Sequence, residues 1–148
     1  MFGALALLAT TACLATPVSA DKSTVNVGPF VGTLAAGYDD VNGRFSLRVG
    51  GMRTATMSSK ILWLLPSGYV LPNDGPNGET RLVVTGRRLG TPVRRFKQVF
   101  LGGKGSTDER YYFPSILKPP TVGCWRLTFR AGTASGSATM LARPRYRG

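Results

Sequence analysis

No stretch of this chain sustains apolar residues at helical spacing; short alternating runs are cut instead by Gly, Pro and Asn. Asp39-Asp40-Val41-Asn42-Gly43 is a turn, and Asn-Gly is the pair that a tight hairpin favours. It leads into Arg44 to Val49, where Phe45, Leu47 and Val49 fall on one face and Arg44, Ser46 and Arg48 on the other. Lys60 to Leu65 is apolar on both faces, which predicts a central strand covered on both sides. Pro66-Ser-Gly68 ends it, and Leu71 to Glu79 is a polar loop of turn residues.

Further strands are expected at Arg81 to Thr85, at Phe96 to Leu101 before the loop Gly102 to Asp108, and at Tyr111 to Phe113, closed by Pro114. Pro119-Pro120 forces an extended entry to Cys124 to Ala131, and Ser137 to Ala142 returns as the last strand. About seven short strands without helices predict an all-β fold: an antiparallel sandwich of two sheets.

The first residues bear on compartment. Phe2 to Ala15 is apolar and uncharged, too short to span a bilayer comfortably, and is followed by Pro17, Val18 and Ala20 in the manner of a signal peptide with its cleavage site after Ala20. The expected division is a signal peptide over residues 1–20 and one domain over 21–148. Removing residues 1–20 from the 148-residue chain leaves 128, enough for a single core. No Lys or Arg precedes the apolar run, and Thr10-Thr11-Ala12-Cys13 offers an alternative, a lipobox with Cys13 as a lipidated first residue. A third alternative is that the segment is retained. In the two main readings Cys13 is lost or lipidated, so Cys124 is expected to have no disulfide partner within the chain.

The charge is one-sided. There are 19 Lys and Arg against 7 Asp and Glu, none of them within residues 1–20, so the expected domain keeps a net +12. Such a field attracts polyanions without discriminating among their sequences. Arg87, Arg88, Arg94 and Arg95 flank one Gly-Thr-Pro loop and are the candidate anion-binding residues; the bland alternative is that they are solvated strand faces. For an exported chain the anionic partner is an envelope polymer, a lipid surface or an acidic polysaccharide, rather than nucleic acid.

In Cys124 to Ala131, the period of two puts Trp125, Leu127, Phe129 and Ala131 on the buried face and Cys124 beside Arg126 and Arg130 on the other. Gly123-Cys-Trp-Arg-Leu-Thr-Phe129 resembles the penultimate strand of immunoglobulin-like domains. The resemblance implies that Trp125 takes the corner aromatic, Leu127 the buried cysteine position and Cys124 the variable position between them. Trp63 would then resemble the core tryptophan of the third strand. Tyr112 to Leu117 and Pro120 to Thr128, with Gly136-Ser137 opening the final strand, also resemble a group of small exported bacterial proteins. The paired cysteines of true immunoglobulin domains are missing from their positions.

Chemistry is hard to build from these residues. The sequence contains no histidine, which removes Ser-His-Asp triads, His-based zinc sites and the usual base for a thiol nucleophile. Ser115-Ile-Leu-Lys118 has the Ser-x-x-Lys spacing of penicillin-recognising enzymes, but Pro114 and Pro119 deny it the helix that the pattern needs. Lys104 in the loop Gly102 to Thr107 is followed by Gly rather than Ser or Thr, unlike a phosphate loop. Two clusters, Asp39, Asp40 and Asn42, and Asn73, Asp74, Asn77 and Glu79, have calcium-type ligands, although turn chemistry accounts for the same residues. Tyr111-Tyr112-Phe113 offers an aromatic edge, which alternation would divide between core and surface. The expectation is a non-catalytic, exported interaction or structural module of the cell envelope, without cofactor or metal. Its alternative is an accessory domain that binds another protein by strand addition or through its basic face.

Overall fold

A computed structural model describes residues 13–35, 41–49 and 60–144. Among these residues every regular element is a strand. Gly28-Pro29 turns β1 (Thr24–Val27) into β2 (Phe30–Leu34), and Asn42-Gly43 turns the chain toward β3 (Ser46–Arg48). Both Asn42 and Gly43 have positive φ, 54° and 71°, as a tight turn of the hairpin kind requires. The chain then forms β4 (Lys60–Leu65), β5 (Thr80–Arg88), β6 (Arg95–Lys104), β7 (Tyr111–Ile116), β8 (Gly123–Ala131) and β9 (Ala134–Arg143).

The nine strands make one curled sheet in the order β1-β2-β4-β7-β6-β5-β8-β9-β3. All pairs are antiparallel except β3 with β9, so the sheet is mixed. Nine strands replace the expected seven because the β1–β2 hairpin is built from four- and five-residue runs that carry little periodic signal.

Alternation sets the core. Trp125, Leu127 and Phe129 of β8 are fully buried, as the period of two predicts. The curl brings β2 and β4 against β8: the Trp63 ring meets Phe129 edge-on at 4.5 Å between centroids, and Phe30 meets Phe129 at 5.8 Å. Such aromatic pairs contribute on the order of 0.5–1.5 kcal/mol beyond the area that they bury. Gly32 is required beneath Trp63, because a Cβ there would lie 2.6 Å from the indole ring. Gly86 is required beneath Phe96 in the same way, and Phe96 packs edge-on against Trp125 at 5.2 Å.

Three local expectations fail for physical reasons. β4 is central but covered on one face only: Ile61, Trp63 and Leu65 are buried, whereas Leu62 is 37% exposed. Ser46 is fully buried rather than solvated, on β3 beside β9 and next to the point where the N-terminal segment pairs with the chain entering β3. β7 continues through Pro114 to Ile116, because its ladder with β6 ends at Tyr112 and the proline sits where that side of the strand has no neighbour. Trp63 is fully buried on β4, which lies between β2 and β7.

The largest departure concerns the cysteines. Cys13 and Cys124 form a disulfide, with Cα atoms 5.5 Å apart, so the expectation that Cys124 lacks a partner in the chain is wrong. The reason is the path of residues 13–20. The Thr16 amide donates to Thr139 O at 2.8 Å, and Thr16 O accepts from the Phe45 amide at 2.7 Å. The segment therefore runs alongside β9, whose Leu141 is in register with Cys124 of β8. Cys13 is delivered to the start of β8 by backbone pairing.

Candidate anion-binding face

β5, β6 and β8 are neighbours, and their ladders align basic residues across strands. Arg87 is opposite Arg95 on β6 and opposite Arg126 on β8, giving three guanidinium-bearing positions in one row. Adjacent strands are about 4.8 Å apart, so the row spans roughly 10 Å. In the next row Thr85 is opposite Lys97 and Thr128. Beyond it, Val83 is opposite Val99 and Arg130. Arg87, Arg95, Lys97, Arg126 and Arg130 are all exposed, on the face opposite Leu82, Val84, Leu127 and Phe129, which are fully buried.

The electrostatics of the face are unbalanced. Arg126 donates to the Ser137 hydroxyl at 3.3 Å, and Arg81, at the edge, lies 3.5 Å from Asp74. Among the described residues, no carboxylate pairs with Arg87, Arg95, Lys97, Arg126 or Arg130. Thr85, Gly86, Phe96 and Thr128 join Arg87, Arg95, Lys97 and Arg126 around a shallow depression. Like charges this close repel one another, and that repulsion is relieved when an anion with several charges lies across them.

The four arginines singled out in the sequence do not stand in one row. Arg87 and Arg95 stand in the row. Arg88 points elsewhere: its guanidinium donates to the carbonyls of Val122 at 3.0 Å, Thr91 at 3.4 Å and Pro92 at 3.5 Å, which fastens the β5–β6 loop to the start of β8. Arg94 is exposed in that loop, and its carbonyl accepts from the Arg88 amide. Lys97 and Arg126 complete the cluster instead. Their contribution could be found only through strand register, because 29 positions separate them in sequence and pairing joins both to β5.

The other sequence candidates are dispersed. Ser115 is buried and donates to Ile61 O at 2.9 Å, while Lys118 is exposed and its amide donates to the Gln98 side chain. Lys104 lies 6.0 Å from the centre of the Tyr111 ring at the end of β6. Tyr111 and Phe113 are buried, and the half-buried Tyr112 donates its hydroxyl to Asp108. That hydrogen bond holds the Asp108 carboxyl below its ordinary range and raises the Tyr112 hydroxyl.

Glu79 accepts from the Asn77 amide at 2.6 Å, which also lowers its pKa, so its oxygens serve the turn. Asp39 and Asp40 lie outside the described residues. Among the described residues no three His, Cys, Asp or Glu side chains converge as a metal site. No protein-family model matches the chain, and no similar sequence is found among curated proteins.

Proposed function

We propose that this protein is a non-catalytic, exported module of the cell envelope that binds an extended anionic polymer along the outer face of β6, β5 and β8. The observation that carries the reading is the aligned row Arg95–Arg87–Arg126, with Lys97 and Arg130 beside it and no carboxylate partner among the described residues. Basic residues on adjacent strands, whose backbones lie about 4.8 Å apart, suit a polymer with closely repeated phosphate, sulfate or carboxylate groups crossing the strands. The absence of histidine from the sequence, and the dispersal of Ser115 and Lys118, favour binding over catalysis. A disulfide in a small domain agrees with an oxidising compartment outside the cytoplasm.

In this reading the fold is immunoglobulin-like. Trp125 supports it, because its Nε1 donates to Thr121 O at 2.9 Å, four residues upstream, as the corner aromatic of the penultimate strand bonds back to the chain in such domains. The parallel β3–β9 pair and the antiparallel β5–β8–β9 group fit the same frame. The cystine lies elsewhere than in antibody domains, joining β8 to the N-terminal segment.

The test is titration with polyphosphate and with heparin at low salt. We expect binding by the native chain, weakening on the order of 10–100-fold between 50 and 200 mM salt if about four cations are engaged. An Arg87→Glu, Arg95→Glu, Arg126→Glu variant that retains native circular dichroism should lose it. Undiminished affinity in that variant would remove the proposal.

A second reading, an accessory domain for another protein, draws on a different observation. Leu62 and Ile116 are exposed on the outer face of β4 and β7, and β6 and β7 part beyond Gly103, leaving an open cleft beside Phe100 and Ile61. Association with a protein partner that persists in high salt would favour it.

A further inference from the structure

We infer that the processing site of this protein is the Ala12–Cys13 bond, so that the disulfide-bonded Cys13 is the first residue of the mature chain. The inference rests on the reading of the N-terminal segment as an export signal, and moves its end eight residues upstream of the expected bond after Ala20.

Residues 13–20 are built into the domain. Ala15 is 2% exposed and its carbonyl accepts from Arg44 Nη1 at 2.7 Å. The Thr16 side chain accepts from the Thr139 amide at 2.9 Å, and its backbone bonds both Thr139 and Phe45. Pro17 bridges to Arg44 and Val18 to Val25, so the segment adds backbone pairing to β9, to the chain before β3 and to β1. The Ser19 hydroxyl accepts from the amides of Ser23 at 3.1 Å and Thr24 at 3.0 Å. The Ala20–Asp21 bond lies inside this turn, which the Lys22 amide closes onto Ser19 O at 2.8 Å.

A cut after Ala20 would remove all of this. The amides of Phe45, Thr139, Ser23 and Thr24 would lose partners, the site of Ala15 would be vacated, and Cys124 would be left as a lone thiol in an oxidising compartment. A lipidated Cys13 is equally incompatible, because its sulfur would be held in a thioether and could not bond Cys124. The sequence supplies a better-placed bond: Thr10 and Ala12 put small side chains three and one residues before Cys13, which is the pattern that signal cleavage reads, and Phe2 to Ala9 of the apolar run precede it. The reaction is peptide-bond hydrolysis by a host peptidase. Water adds across Ala12–Cys13, leaving a carboxylate on the leader and an amine on Cys13, and the two thiols give up two electrons and two protons to the host's disulfide-forming oxidant.

The test is intact mass of the exported protein, before and after reduction with alkylation, for the native chain and for Ala12→Leu and Ala20→Leu. We expect a native mass beginning at Cys13 and two hydrogens light, with two alkyl groups gained on reduction. Ala12→Leu should block maturation and Ala20→Leu should leave the mass pattern unchanged apart from the substitution. An exported chain beginning at Asp21, or one with a diacylglyceryl group on Cys13, overturns the inference and leaves export standing. A chain that keeps Met1 and stays inside the cell overturns both.

Discussion

The two halves of the curled sheet share one core and present opposite surfaces. On β4 and β7 the outward positions are Lys60, Leu62, Leu64, Tyr112, Pro114 and Ile116, mostly apolar; on β6, β5 and β8 they include Arg95, Arg87 and Arg126. Each half has one tryptophan, and these also differ. The Trp125 indole N–H donates to Thr121 O, whereas Trp63, fully buried, has no partner for its N–H among the described residues. Inward faces are constrained by packing and converge on the same large apolar residues. Outward faces are free to diverge, so the divergence is where binding is to be sought.

The largest effect should show that the halves are one cooperative unit. Trp63→Ala removes the ring against Phe129 and Phe45 and should cost about 3–5 kcal/mol, with loss of both halves in a single urea transition followed by far-UV circular dichroism. A biphasic transition would break the comparison into two domains. Next, the outer faces should respond unequally. Arg126→Ala should weaken polyphosphate binding about tenfold, as expected for a charged contact, while Leu62→Glu with Ile116→Glu should leave that affinity within about twofold and stability within about 0.5 kcal/mol.

A smaller effect separates the tryptophans. Trp125→Phe and Trp63→Phe remove the same volume, but only the first removes a made hydrogen bond. It should therefore be the more destabilising by about 1 kcal/mol in parallel urea titrations.

The smallest concerns the turn before β1. The hydroxyls of Ser23 and Ser19, with the Ser23 amide, hold the Asp21 carboxyl down to about 2. A depressed carboxylate stabilises above its unfolded value of roughly 3.9 and ceases to do so as pH falls through the folded one. Asp21→Asn should flatten the thermal-stability profile between about pH 4 and 2 and leave neutral behaviour of the cationic face untouched.

β8 and β9 were legible in the sequence because long alternation between Trp125 and Ala131 admits one register. The Asn42-Gly43 turn was legible because few residue pairs accept positive φ twice. The β1–β2 hairpin was not, since four- and five-residue runs around Gly28-Pro29 carry too little period. Lys60 to Leu65 misled because an apolar outward face looks the same in sequence whether it is covered or bare. The disulfide was hidden by composition: residues 13–20 read as the end of a leader, and nothing local announces that Thr16 pairs with Thr139. In the candidate site, adjacent arginines suggested a cluster, but neighbours in sequence on a strand face opposite ways. Register, which sequence alone does not give, brought Arg126 beside Arg87.

Where β6 and β7 part, Gln98 occupies the gap. Its Nε2 donates to Ile116 O at 3.1 Å and its Oε1 accepts from the Lys118 amide at 2.8 Å. A carboxamide has the donor and acceptor of a peptide group, so this one side chain imitates a single residue of a missing strand. Two of the backbone groups that another molecule would need for edge-to-edge growth are thereby satisfied from within the chain.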